Sequence, residues 1–84
     1  MTRYRGFDRV NRVRRMRKFE TDQRRHALEA DVTTMSDMDL SASIYRVQTY
    51  RTRDLGFPAE RHPAYATMTA RIQALVDEQT RRRS

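Results

Sequence analysis

In the N-terminal third of the chain an apolar residue recurs at every third position: Phe7, Val10, Val13, Met16 and Phe19. A three-residue repeat fails the alternation of a half-buried strand, so the segment reads as helix, predicted over about 7–30. At about 100° per residue, each i, i+3 step slips backward by about 60°. Phe7, Val10 and Val13 therefore share one arc, while Met16 and Phe19 have moved nearly to the opposite side. Arg9, Arg12 and Arg15 follow one spiral around the same rod, and Arg14, Arg17 and Lys18 another. A helix in a self-sufficient bundle carries one apolar stripe and one polar face; this one carries neither. Residues 1–6 are expected as a flexible basic arm, because Gly6 is a poor interior helix residue. The polar run Glu20–Asp22 is weak enough in apolar anchors to admit a break.

The pattern changes after Ala30. Val32–Met35 is β-branched and uncharged and reads as a connection. Ser36 is a good N-cap, Asp39 stands at the capping-box position, and Met35 and Leu40 are placed as a hydrophobic staple. A helix is therefore predicted over 36–55. Its residues Leu40, Ile44, Val47, Tyr50 and Leu55 fall within one arc of about 140°, a core face. Met38, Ala42 and Tyr45 form a second, smaller apolar strip on the other side, suited to receive the first helix or a partner. Gly56 fits a left-handed helix end and Pro58 forbids continuation.

The last helix is predicted over 63–80, with Pro63 in its first turn. Tyr65, Met68, Ile72, Leu75 and Val76 make its apolar stripe, and residues 81–84 are expected to fray as a basic tail. With a short connection and one apolar face each, the second and third helices should pair as an antiparallel hairpin. The expectation is a single all-α domain spanning 1–84: a small three-helix arrangement of this hairpin plus the long basic N-terminal helix.

Charge sharpens the picture. The 84 residues include eighteen basic groups, all arginine except Lys18, against eleven acidic ones, for a net charge of +7. Eight of the basic groups lie between Arg3 and Lys18, opposed only by Asp8. Such a helix in isolation suffers like-charge repulsion at i, i+3 and i+4 and places cations at the positive end of its own dipole. A neighbouring anion removes both penalties. Residues 26–60 are net acidic, so the chain is also able to attract itself.

Composition excludes several classes. There is no cysteine, hence no disulfide and no thiolate metal site. No apolar run reaches bilayer length and no apolar segment follows Met1, so neither a membrane span nor a secretory signal is expected. The Arg-rich start resembles a transit peptide in charge but has no serine before Ser36. A cytoplasmic location is the expectation. Two glycines allow no phosphate loop, and no nucleophile elbow is present. His26 and His62 are placed too differently to share a metal, and capping accounts for Asp37 and Asp39. No catalysis and no cofactor are expected. The segment Arg51–Glu60 resembles, over part of its length, a turn of the MerR-type regulators. Pro58 and the missing N-terminal helix-turn-helix pattern depart from that family, and nothing about function is carried over. The long Gly56–His62 turn also disfavours a helix-turn-helix reader.

Two functional expectations stand side by side. In the first, the chain is a non-enzymatic binding module for nucleic-acid phosphates, RNA or DNA. Arg9, Arg12, Arg14, Arg15, Arg17 and Lys18 make the contacts, Arg3 and Arg5 form an arm, and Arg81, Arg82 and Arg83 a second patch. In the second, it is a small helical adaptor or inhibitor of the phage or mobile-element accessory type. Phe7, Val10, Val13, Met16, Phe19, Met38 and Tyr45 then dock on a partner protein or nucleoprotein complex, with the arginines meeting an acidic surface. A second copy of the chain is a further candidate partner. A membrane-surface helix is disfavoured because the spiralled apolar residues give little amphipathic moment.

Overall fold

The computed structural model describes the backbone of residues 2–84 and the side chains of residues 12–84. Three α-helices follow one another: α1 (Thr2–Glu29), α2 (Asp37–Arg53) and α3 (Ala64–Arg83). Single 3-10 turns at Val32–Thr34 and Ala59–Arg61 sit in the two connections, and no strand occurs among the described residues. The all-α, three-helix expectation holds.

Local chemistry sets the boundaries. The Ser36 hydroxyl accepts the Asp39 amide at 3.1 Å, and Asp37 and Asp39 occupy the positive end of α2 while Arg51 and Arg53 occupy its negative end. Gly56 follows the helix with a φ of 75°, the left-handed conformation that glycine takes without steric penalty. α2 closes at Arg53, two residues before the predicted end. At the other connection the Asp31 carboxylate accepts both the amide and the hydroxyl of Thr33, at 3.0 and 2.7 Å, which holds its pKa below the usual carboxylate value. His62 Nδ1 accepts the Ala64 amide at 3.0 Å and so caps the start of α3, which begins just after Pro63.

Two expected ends are corrected. The helix assigned to 7–30 begins at Thr2 and runs through Gly6, so residues 2–6 are not an irregular arm. One glycine costs only about 1 kcal/mol against alanine, and a helix already nucleated propagates through it. Nor does α1 break at Glu20–Asp22, where the Thr21 hydroxyl donates back to the Arg17 carbonyl at 2.8 Å. The frayed tail predicted for 81–84 is instead helical to Arg83, because Arg81 and Arg82 fold onto Glu78 of the same helix.

α2 and α3 form the antiparallel hairpin. At one end Arg51 donates to the Thr69 hydroxyl at 3.0 Å and lies 5.2 Å over the Tyr65 ring. At the other, Gln79 donates to the Ser41 hydroxyl and Arg82 reaches Asp37. Leu40, Val47, Met68 and Leu75 fill the core between them, joined by Ala27 and Met35. On a helical wheel Leu40 and Val47 stand between two flanks of α2. Ser41 and Arg51 turn toward α3, while Asp39 and Tyr50 turn toward α1. That wedged position explains why both are fully buried. On α3 the buried arc is centred near Met68 and Leu75 and continues through Arg71, Glu78 and Arg82, with Val76 about 80–100° from that centre on the other side. Val76, predicted as core, therefore falls at the margin and is exposed.

Among the described residues of α1, only those at its C-terminal end are packed. Ala27 is buried against the core, His26 Nε2–H donates to Asp39 at 2.6 Å, and Arg24 pairs with Asp54 at 2.6 Å while lying 4.7 Å over the Tyr50 ring. The 28 residues of α1 span about 42 Å, far more than this contact uses. The molecule measures 59 × 32 × 14 Å, and its radius of gyration of 16.8 Å compares with about 12 Å for a compact domain of this length. α1 does not rest on the Met38–Ala42–Tyr45 strip, whose Met38 and Tyr45 are exposed.

Candidate functional site

The described part of the basic stretch is exposed on all sides. Val13, Met16 and Phe19 keep 41%, 62% and 61% of their surface in solvent. Arg12, Arg14, Arg15, Arg17 and Lys18 are exposed as well. Among the described residues none of these five cations is paired with a carboxylate; the ion pairs all lie elsewhere. Among the described residues, the spiral that makes a single stripe impossible thus meets no second helix. Arg3, Arg5, Arg9, Phe7 and Val10 have side chains outside the described residues.

The acidic boundary falls where α1 meets the hairpin. Glu20 and Asp22 follow Phe19, and Glu20, Thr21, Gln23 and Arg24 line a hollow with Tyr50 at the C-terminal end of α2. The cations before this point have no carboxylate neighbour among the described residues, whereas Arg24, the first described arginine after it, reaches Asp54.

The C-terminal arginines behave differently from the expectation. Glu78 is buried, and Arg81 and Arg82, at i+3 and i+4, both donate to its carboxylate. The hydrogen bond from Arg81 is the main cause that holds the Glu78 carboxyl down at about 2; it prevails over desolvation, and Arg82 reinforces it. Arg82 also contacts Asp37 Oδ1 at 3.0 Å and the Val32 and Thr33 carbonyls at 3.2 and 3.3 Å. Arg82 thus locks α3 to the start of α2 while Arg81 is held on Glu78 of its own helix, and only Arg83 of this trio is left as a candidate ligand contact. Met38 and Tyr45 lie on the outer face of α2, remote in sequence from the α1 anchors with which they were grouped.

Sequence reasoning passed over Arg71. Its Nε donates to the Ala27 carbonyl at 2.8 Å and its Nη2 to those of Ala30 and His26 at 2.7 and 3.4 Å. The His26 carbonyl already accepts the Ala30 amide at 3.0 Å, whereas those of Ala27 and Ala30 lie where the helix has run out of its own donors. A guanidinium at the negative end of the helix dipole satisfies them and cross-links α1 to α3. Burial pushes the Arg71 pKa below arginine's ordinary value. The available signal was its wheel position, a cation flanking Met68, Ile72 and Leu75 on the buried arc.

Among the described residues no three His, Asp or Glu side chains gather as a metal site requires, and no helix is long and apolar enough to cross a membrane. Comparison with protein-family models, with curated proteins and with solved structures finds no match.

Proposed function

We propose that this chain is a non-enzymatic binding module whose N-terminal helix contacts nucleic-acid phosphates, the three-helix junction serving as its base. One observation carries the reading: five cations on all sides of the segment Arg12–Lys18 stand exposed, without carboxylate partners among the described residues. Cations arranged around a rod suit a groove that surrounds it, as in structured RNA, better than a flat surface. Phosphate contacts dominate such an interface, so its affinity is salt-dependent and its sequence preference low. With six to eight contacts, log K against log salt has a slope of about −4 to −7. Replacing Arg14 and Arg15 by Gln lowers the magnitude of that slope by about 1.5–2. A flat salt response ends the proposal.

The exposed Val13, Met16 and Phe19 favour a second reading, an adaptor that docks on a partner protein or nucleoprotein complex and acts by occlusion. There, Val13→Ala with Phe19→Ala abolishes binding at every salt concentration while the hairpin melts unchanged. In the nucleic-acid reading the same pair weakens binding less than the arginine pair does.

A further inference from the structure

Phe57 is fully exposed in the connection between α2 and α3. Complete burial of a phenyl ring is worth about 1.5–3 kcal/mol, and here the fold gains none of it. The loop that carries it is nonetheless held on both sides. Leu55 packs against the core, Pro58 and Ala59 are half-buried, and the Arg61 and His62 amides donate to the Pro58 and Ala59 carbonyls at 3.2 and 3.0 Å. The ring is therefore presented by a fixed backbone. Arg53 and Arg61 stand four residues before and after it in sequence, both exposed and without a carboxylate partner among the described residues; of the two acids between them, Asp54 is paired with Arg24.

The loop is also next to the base of the α1 rod. Arg24 of α1 bonds Asp54, and Phe57 follows Asp54 by three residues, a reach of at most about 11 Å. A polyanion lying along Arg12–Lys18 toward the junction arrives at this loop. An exposed aromatic face on a loop that also carries arginines is the chemistry that receives an unpaired base and its phosphates. Bases within an uninterrupted duplex have no free face to offer it.

We infer that Phe57 is a stacking platform for an unpaired base of the nucleic acid whose phosphates α1 contacts. The inference rests on the proposed function and narrows its ligand class to strands that carry unpaired bases beside a stem. Tryptophan is absent from the chain, so Phe57→Trp supplies a single tryptophan at the platform, excited selectively over the four tyrosines. The probes are a short RNA hairpin with an unpaired loop, a DNA hairpin of the same sequence, and the RNA stem alone as blunt duplex. Quenching by either hairpin and not by the duplex supports stacking, and the stronger quencher identifies the preferred sugar. Phe57→Ala weakens hairpin binding by about 5- to 150-fold with the salt slope unchanged, and Phe57→Tyr restores most of it. Because the ring touches no core residue, circular dichroism of Phe57→Ala matches that of the parent. Hairpin affinity unaltered by Phe57→Ala, while Arg14→Gln with Arg15→Gln weakens it and lowers its salt slope, overturns the platform and leaves the α1 reading standing. Absence of salt-dependent binding to any of the three probes overturns both.

Discussion

Replacing Arg71 by Met removes the guanidinium that ties α3 to the end of α1 while keeping an unbranched side chain on the same arc. Its bonds at 2.8 and 2.7 Å to the Ala27 and Ala30 carbonyls are the two that matter; the third, at 3.4 Å, adds little. A hydrogen bond from a charged donor contributes about 1.5–3 kcal/mol net when buried. For a half-buried side chain whose acceptors are partly rehydrated after its removal, the pair together amounts to about 2–3 kcal/mol. In a chain of this length 1 kcal/mol shifts the melting temperature by about 4–8 °C, so the expected fall is about 10–20 °C. Arg71→Lys keeps a cation at the negative end of α1, worth about 0.3–1 kcal/mol, but cannot fork between two carbonyls. Its melting temperature falls between those of the parent and Arg71→Met. Thermal denaturation followed at 222 nm measures all three. A melting temperature for Arg71→Met within about 3 °C of the parent would refute the claim that these carbonyls need a partner.

Leu75→Ala, at a fully buried position, destabilises by about 2–5 kcal/mol in urea titration. At about 0.05–0.15 kcal/mol per residue that is a large share of the total stability. Ser36→Ala removes the α2 cap and costs about 1 kcal/mol, whereas Ser36→Asp costs much less. The Glu78 carboxyl titrates at about 2 when folded, below its ordinary value of 4.5. Its contribution is complete above pH 4.5 and disappears as the pH falls toward 2, so the parent loses stability across that window and Glu78→Gln, already weakened at neutral pH, loses less there.

Where a helix carried a single periodic face, the fold was legible. The α2 core residues and the Ser36 cap follow from spacing and capping chemistry alone, and so does the antiparallel hairpin. α1 was legible in another sense: its corkscrew of apolar positions announced a rod no single neighbour could cover, and Val13, Met16 and Phe19 are exposed accordingly. What escaped were polar groups whose role depends on a distant partner. Arg71 bonds carbonyls 41 and 44 residues away, and Arg82 reaches Asp37 across 45. Local patterns carry no record of such pairs. Read by position alone, Arg81–Arg83 looked like a free basic tail, although the i+3 and i+4 spacing from Glu78 already allowed the lock. Phe57 escaped because one aromatic among turn residues has no period to betray it.

The central claim is that Arg12–Phe19 forms a helix turned outward for an anionic partner. Amide hydrogen exchange along the chain, with and without the RNA hairpin, tests it most directly. The account predicts fast exchange at 12–19 in the free protein, slow exchange around Leu40, Val47 and Leu75, and strong protection of 12–19 on adding RNA with the hairpin amides unchanged. Slow exchange at 12–19 without RNA, or protection that RNA leaves unaltered, would contradict it.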